Sequence, residues 1–484
     1  MTTADLNVAL PFIIVAAWAC ILLVIDLFIP ADRKGLTALL AVAGMGFASI
    51  PVLLRFEESN RAFNGMIVQD GFSSFLQLLL LGVGVISVAL AYDYLQRRKI
   101  VKGEYYTLLL FSVSGMVLMA QAGDLIIVFL ALELLSVPLY VLSGFAAKSN
   151  PESEEAAMKY FLLGAFASGF IVYGIALVYG ATGTTEIEAI HNVLISGVSN
   201  LGLLTVGAVL ILVGLGFKVA VVPFHMWTPD VYDGAPSSVT ALMSVGAKAG
   251  GFAALLRLFL AGFPEIAANL APILVGVAAL TLIWGNIAAI AQQNIKRMMA
   301  YSSISHAGYI FMMLPAIVDS DIAPDAISAA LFYLFVYAVS NLGAWGVILA
   351  LERADGGGLS IDDYAGLGER NPGLALAMAL FMLSLIGVPP TAGFIGKFFL
   401  FRVVLDANMI GLALVGVITS LISAYYYLRV VVVMYMRSGD PQVRSERWLN
   451  ATLWLTALGT FLLGIFPGPL LNLASRTGLF GLVP

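Results

Sequence analysis

The sequence predicts an all-α membrane protein of about fourteen transmembrane helices. Two observations carry this reading. Of 484 residues, 61% are hydrophobic and 11% charged, whereas about a quarter of residues in a soluble domain are charged. Apolar runs long enough to cross ~30 Å of hydrocarbon recur from end to end. Lipid offers the backbone no hydrogen-bond partners, so each run must satisfy its own amides and carbonyls as a helix.

The runs lie near 8–29, 35–54, 71–92, 104–122, 124–147, 157–180, 201–222, 236–262, 270–291, 298–317, 326–351, 373–404, 409–436 and 449–470. The first has no basic residue before Arg33, so it lacks the positive region of a signal peptide and is expected to be retained. Runs one to three fill residues 1–103. Runs four to eight fill 104–262 and runs nine to thirteen fill 270–436, two blocks of five. The last run and the C-terminus fill 449–484 within the single membrane domain 1–484. Connections near 180–200, 315–325 and 351–372 are polar, the last with Gly356-Gly357-Gly358 as a flexible joint.

The fourth run of each block is interrupted. In the seventh run, Gly214-Leu215-Gly216-Phe217-Lys218 leads to Pro223 and His225. In the twelfth, Gly387-Val388-Pro389-Pro390-Thr391-Ala392-Gly393 precedes Lys397. Proline removes a backbone donor and clashes with the preceding turn, so both helices are expected to break at mid-depth. Five crossings is an odd number, so the two blocks enter the membrane in opposite senses. Interrupted helices at matching places of an inverted repeat point to an ion site. The bland alternative is that prolines are common in membrane helices.

Fourteen Lys and Arg residues, from Arg33 to Arg447, fall on one side of the predicted topology, against Arg55, Arg61, Arg257, Arg402 and Arg476 on the other. The basic side is expected to be cytoplasmic, with both termini outward. The single cysteine, Cys20, excludes disulfides within the chain and cysteine-ligated iron–sulfur clusters. His191, His225 and His306 are scattered without the spacing of a metal site. No cofactor is expected in this chain.

Candidate chemistry rests on charges placed where charge is costly. Of nine lysines, Lys159, Lys218, Lys248 and Lys397 lie within apolar runs, where each costs about 2.5–3.5 kcal/mol on insertion scales. A buried amine can release its proton near neutral pH and a guanidinium cannot, which makes the proton the first candidate ion. Lys248 sits among Gly246, Ala247, Ala249, Gly250 and Gly251, small residues that leave room for water or for close helix approach. Glu133 lies about nine residues into its run, near 13 Å at 1.5 Å per residue. It is either an acid coupled to a neighbouring lysine or half of a static ion pair that fixes packing. Lys159 has Glu155 one turn earlier, the spacing of an ordinary surface pair. His225 suits a relay or a packing role. His306 is evenly balanced, and Asp26, Asp124 and Arg429 read as structural or interfacial.

The stretch Pro223-Phe224-His225-Met226-Trp227-Thr228-Pro229-Asp230-Val231-Tyr232-Asp233-Gly234-Ala235-Pro236, with Lys248 twelve residues on, resembles the antiporter-like membrane subunits of NADH–quinone oxidoreductase, respiratory complex I. Leu132–Tyr140, Ala300–Tyr309 and Gly387–Lys397 support the match, which covers essentially the whole chain. Thr228 and Tyr232 stand where the L and M types and the Mrp antiporter subunits carry a leucine and a second histidine. The chain is therefore similar to subunit N, the mitochondrial subunit 2 type.

That resemblance implies fourteen helices in two inverted five-helix repeats, with helices 7 and 12 broken. It implies that Glu133 pairs with and tunes Lys218, that Lys248 is the central relay and that Lys397 faces the outward exit. His225 is implied as a bridge between Lys218 and Lys248, and Lys159 matches a further basic position. It also implies neighbours of the K and M types, the lateral helix of the L type, and partner chains holding FMN and iron–sulfur clusters, with quinone as the complex's substrate. The expected location is the bacterial inner membrane. Three readings stand beside it: an Mrp-like cation/proton antiporter component, the equivalent subunit of a photosynthetic NDH complex, and a structural scaffold with static charge pairs.

Overall fold

The computed structural model describes residues 3–30, 33–148, 150–319 and 321–477. The two terminal stretches on which the expectation for the chain's ends rests, 1–2 and 478–484, lie outside them. The apolar runs become helices whose starts are set by polar residues from the loops. Asp70 accepts from the Ser73 amide to open α3 (Gly71–Arg97), and Asp124 accepts from Ile126 to open α5 (Leu125–Ser143). Asn150 caps α6 (Pro151–Thr182), Asn200 caps α8 (Leu201–Val219) and Asn294 caps α12 (Ile295–Phe311). Each side-chain oxygen satisfies an amide that has no partner within its helix.

The remaining spans are α1 (Thr3–Asp26), α2 (Gly35–Leu54), α4 (Gly103–Ala120), α10 (Ser237–Gly262), α11 (Pro264–Ile290), α13 (Ala323–Leu351), α16 (Ile410–Met436) and α17 (Arg447–Ile465). Among the described residues, twelve helices are long and apolar enough to cross a membrane. The other two predicted runs are present in shorter form. The tenth is α12, 17 residues long, and the twelfth is split into α14 (Pro372–Ile386) and α15 (Ala392–Asp406).

Two elements depart from the sequence reading. A hairpin of β1 (Asn60–Ala62) and β2 (Ile67–Gln69) follows α2, turned by Phe63, Asn64 and Gly65 at positive φ, the chemistry that Asn-Gly tolerates. The 180–200 connection, expected to be polar loop, contains α7 (Ile187–Gly197). Its Ile187 and Ile190 are buried, so one apolar stripe packs down, while Asn192, Ile195 and Ser196 are exposed.

Both breaks fall where prolines predicted them. α8 stops at Ala220, in the left-handed region at φ 63°, and the chain resumes as α9 (Thr228–Gly234). α14 stops at Gly387, φ 92°, before Pro389-Pro390. The left-handed residue closes each helix and leaves end carbonyls for other donors.

Burial separates the interior helices from the lipid-facing ones. The most apolar window of α10 is wholly buried, and those of α13 and α4 are 89% and 83% buried. In α1, α6 and α17 only a third is buried, and side chains such as Phe166 and Leu455 point outward, as they must when the solvent is hydrocarbon. The interior helix α10 carries Lys248 at the end of a π-helical stretch, Met243–Ala247, a distortion often found at functional positions. A last short helix, α18 (Gly468–Ser475), ends the described chain.

Candidate functional site

Lys218, Lys248 and Lys397 are 3%, 2% and 4% exposed, and all three reach neutral partners. Lys218 is in the last turn of α8. Its Nζ donates to Ser136 Oγ on α5 at 2.8 Å and to the Tyr160 hydroxyl on α6 at 2.9 Å. The ammonium lies 5.0 Å from the Tyr160 ring centroid and 5.9 Å from that of Tyr140, where the ring faces favour positive charge. Tyr160 stacks on Trp227 at 4.6 Å, and Trp227 Nε1 donates to the Phe217 carbonyl at 2.9 Å. The connector after the break thus holds the ring that holds the amine.

Glu133 differs from expectation. It is half-buried on α5, and its carboxylate accepts a short hydrogen bond from Ser168 Oγ on α6. Among the described residues no ion pair within 4.0 Å joins it to Lys218, though its charge acts on that amine across the gap. The reason is its direction around the helix. Ile126, Leu130, Val137 and Val141, one and two turns away, are 43–52% exposed, so Glu133 lies along the stripe that α5 turns away from the core.

Lys248 donates to the Ser303 carbonyl on α12 at 2.5 Å. Its glycine neighbours serve close helix approach. A Cβ on Gly251 would sit 2.7 Å from Val219 Cγ1, beside the Lys218 stem at 3.6 Å, and one on Gly246 would sit 2.9 Å from Met116 Sδ. Lys397, in α15, donates to the Ile386 carbonyl at 2.8 Å and to Ser420 Oγ on α16 at 2.9 Å. Ile386 is the last residue of the broken α14, so the break supplies the acceptor. Lys397 Nζ also lies 4.5 Å from the Tyr309 ring centroid.

Between Lys248 and Lys397 runs a line of hydroxyls and one imidazole. Tyr337 donates to Ser303 Oγ at 2.9 Å, and its ring lies 5.0 Å from that of His306. His306 Nδ1 is 2.7 Å from the Tyr333 hydroxyl and Nε2 is 3.1 Å from that of Tyr427. Tyr309 stands next, 6.4 Å ring to ring from Tyr333, under Lys397. His306 feels the charge of both lysines. The sequence left it undecided and missed Tyr333 and Tyr337, because tyrosines four apart in an apolar run read as ordinary packing.

Two further candidates fall outside this line. His225 is buried in the α8–α9 connector, against Trp284 at 6.2 Å ring to ring. Among the described residues it hydrogen-bonds neither Lys218 nor Lys248, and its Nδ1 has no partner. The direct bridge expected of it is absent because the break carries the imidazole toward α11. Lys159 is 40% exposed and lies 2.6 Å from both Glu155 and Asp230, in a network with Arg297 on the basic side. The pair with Glu155 is the one its spacing suggested. A fully buried ion pair lies elsewhere: Arg257 grips Asp70 through two nitrogens at 2.8 and 3.0 Å, tying α10 to the start of α3. Among the described residues no cluster of three or more His, Cys, Asp or Glu could hold a metal.

The chain as a whole is similar to known proteins. The profile described as NADH:quinone oxidoreductase/Mrp antiporter, transmembrane, matches residues 122–423. The NADH-quinone oxidoreductase subunit N of Chloroflexus aggregans is 47% identical over 98% of this chain and 97% of its own. A chain of respiratory complex I from Thermus thermophilus superposes with a TM-score of 0.82 at 34% identity, covering 97% of this chain and all of that one. A chain of the Mrp complex from Dietzia shares the fold, with a TM-score of 0.86 at 22% identity over 97% of this chain and 96% of its own. The chain belongs to the NADH:quinone oxidoreductase/Mrp antiporter transmembrane family, alongside its NADH-quinone oxidoreductase subunit N members.

Proposed function

We propose that this chain translocates protons in the membrane arm of an NADH:quinone oxidoreductase, with Lys218, Lys248 and Lys397 as the proton-carrying groups. One observation carries the reading. Each amine is buried and bonded to hydroxyls or carbonyls, with no carboxylate within 4.0 Å among the described residues. A carboxylate would hold a buried ammonium permanently, since breaking such a pair costs about 3–5 kcal/mol. Hydroxyls donate as well as accept, and carbonyls accept from a neutral amine as they do from an ammonium. These partners serve both protonation states, which a carrier requires and a scaffold does not.

In this reading a change in charge near Glu133, driven by quinone reduction elsewhere in the complex, acts through space on Lys218. Lys248 relays through Ser303, Tyr337 and His306 toward Lys397, which releases outward. His225 adjusts Lys218 and Lys248 through its own charge state, and Lys159 shapes the field at the basic entrance. The two blocks 104–262 and 270–436 supply the two broken helices in opposite senses. The chain lies in the bacterial inner membrane with its basic side cytoplasmic and both termini outward. Chains of the K and M types flank it, with the lateral helix of the L type alongside. It holds no redox group, and partner chains supply FMN and the iron–sulfur clusters.

Lys248→Ala tests this directly. NADH-driven proton pumping in inverted membrane vesicles should fall by about tenfold or more, while the complex still assembles. Pumping and turnover at the unsubstituted level would support the scaffold instead.

A further inference from the structure

We infer that Glu352 is the proton-loading residue on the basic side, and that it feeds Lys248 through Tyr94 and a ladder of hydroxyls on α10. The inference rests on the proposed function and adds an intake route to it.

A cavity of about 260 Å³ opens on the basic side, lined by Arg98, Asp233, Lys296, Glu352 and the Asp355–Gly356 turn. It is polar and large enough for several waters. Glu352, the residue after α13, is 3% exposed. Its Oε1 accepts from the Tyr94 hydroxyl at 3.0 Å, while Oε2, buried behind the cavity lining, has no hydrogen-bond partner. A buried carboxylate oxygen left without a donor is costly, so it calls for an explanation. Lys296, the cation that could have closed an ion pair with it, donates instead to the Asp233 and Ala235 carbonyls at 2.6 and 2.7 Å. Glu352 therefore keeps one unpaired oxygen just behind the cavity wall, and a small turn of the carboxyl into the cavity would let it take a proton from water.

The other oxygen points inward. The Tyr94 hydroxyl also lies near the Ser237 backbone amide, at the first residue of α10. From there Ser237, Thr240, Ser244 and Lys248 follow at spacings of three, four and four, which place them along one helix face. Eleven residues at 1.5 Å each span about 16 Å, from the basic side to mid-depth. All four are buried. Ser237 Oγ has no partner, and Ser244 Oγ accepts from Asn341 Nδ2 at 2.7 Å. A proton taken up by the Glu352 carboxylate leaves it through the Tyr94 hydroxyl. Thr240 and Ser244 donate to the Tyr232, Pro236 and Ala241 carbonyls rather than to each other, so the inferred relay needs these hydroxyls to turn and water to bridge them. Each then accepts one proton as it passes one on, and the Lys248 amine becomes an ammonium.

The test uses the intact complex in its membrane. Glu352→Gln keeps the shape and an oxygen for Tyr94 but cannot carry the proton, and Glu352→Asp keeps the carboxyl. Initial pumping rates should fall about tenfold in Glu352→Gln and stay within about twofold in Glu352→Asp, where the titrating group survives. Equal pumping in Glu352→Gln and the unsubstituted complex overturns the inference. So does an Asp variant as impaired as the Gln variant, which would mark a packing role. Lys248→Ala measured in parallel separates the two levels: if it pumps normally the proposed function fails, and if it alone is impaired only the Glu352 route fails. Where Glu352→Gln does not assemble, Tyr94→Phe decides, because it removes the relaying hydroxyl and keeps the ring. Unchanged pumping in that variant overturns the route.

Discussion

Gly251→Ala separates geometry from chemistry at the site. The added methyl would stand 2.7 Å from Val219 Cγ1, against the ~3.5–4.0 Å that two carbons prefer. Val219 belongs to the last turn of α8, next to Lys218, so relief of about 1 Å must move α8 and α10 apart or turn Val219 off its rotamer. Overpacking of this kind costs about 1–3 kcal/mol, too little to unfold a complex. Yet a misplacement near 1 Å can reduce a proton-transfer step about a hundredfold, and here it would draw the Lys218 amine from Ser136 and Tyr160. Gly250→Ala is the internal control. Its methyl meets Leu135 and Met116 at 3.6–3.8 Å, ordinary contact, and alanine is the better helix former by up to ~1 kcal/mol. NADH-driven quenching of a pH-sensitive dye in inverted vesicles, normalised to assembled complex, should show Gly251→Ala strongly impaired and Gly250→Ala unchanged. Adding Val219→Ala to Gly251→Ala removes the offending methyl and should restore pumping. Equal behaviour of the two single variants would refute the argument.

Lys218→Arg keeps the charge but cannot release a proton; pumping should fall as far as in Lys218→Ala, and substantial retained pumping would count against proton exchange at that position. Arg257→Leu leaves Asp70 buried without its bidentate partner, at a cost of about 3–5 kcal/mol; native gels should show less assembled complex, with partial recovery in Asp70→Asn/Arg257→Leu. Asp355 carries a pH dependence of known sign. Its carboxylate accepts the Gly357 amide at 3.0 Å, and that bond, with help from Arg353, holds its pKa below the usual carboxylate value. A depressed folded value means that the turn is supported above the unfolded value of ~3.9 and loosens as pH falls through and below it. Hydrogen exchange of the 352–360 peptide, corrected for intrinsic rates, should accelerate toward acid in the unsubstituted chain and show no such step in Asp355→Asn.

The periodic part of the architecture was legible because lipid enforces it. Run length gives helices, and Pro223 and Pro389-Pro390 announce both breaks before any contact is known. The buried amines were legible for the same reason: a lysine inside an apolar run has no cheap explanation. Partners were not legible. Ser136 meets Lys218 across 82 positions and Tyr333 meets His306 across 27, separations that leave no periodic signal. Glu133 shows the limit of counting along an axis. Depth follows from 1.5 Å per residue, but the exposed stripe of Leu130 and Val137 settles where the side chain points. The hairpin after α2 and α7 went unseen because each is too short to give a clear periodic signal.

The partner sets then explain why the two breaks are needed. Within an intact helix the carbonyls are already bonded, so Lys248 must share the Ser303 carbonyl of α12 with that helix, whereas a helix end offers an acceptor with spare capacity. Ending α14 at Gly387 frees the Ile386 carbonyl, which takes Lys397 together with Ser420. Ending α8 at Ala220 leaves the Phe217 carbonyl, which accepts the Ala220 amide, with a second lone pair for the Trp227 indole, which so fixes the stacked Tyr160 against Lys218. In each case a broken helix converts a backbone acceptor into a neutral support for an ammonium, directly at one end of the line and through an aromatic pair at the other. An acidic residue in either place would have met the same electrostatic need more strongly, and would have stopped the proton there.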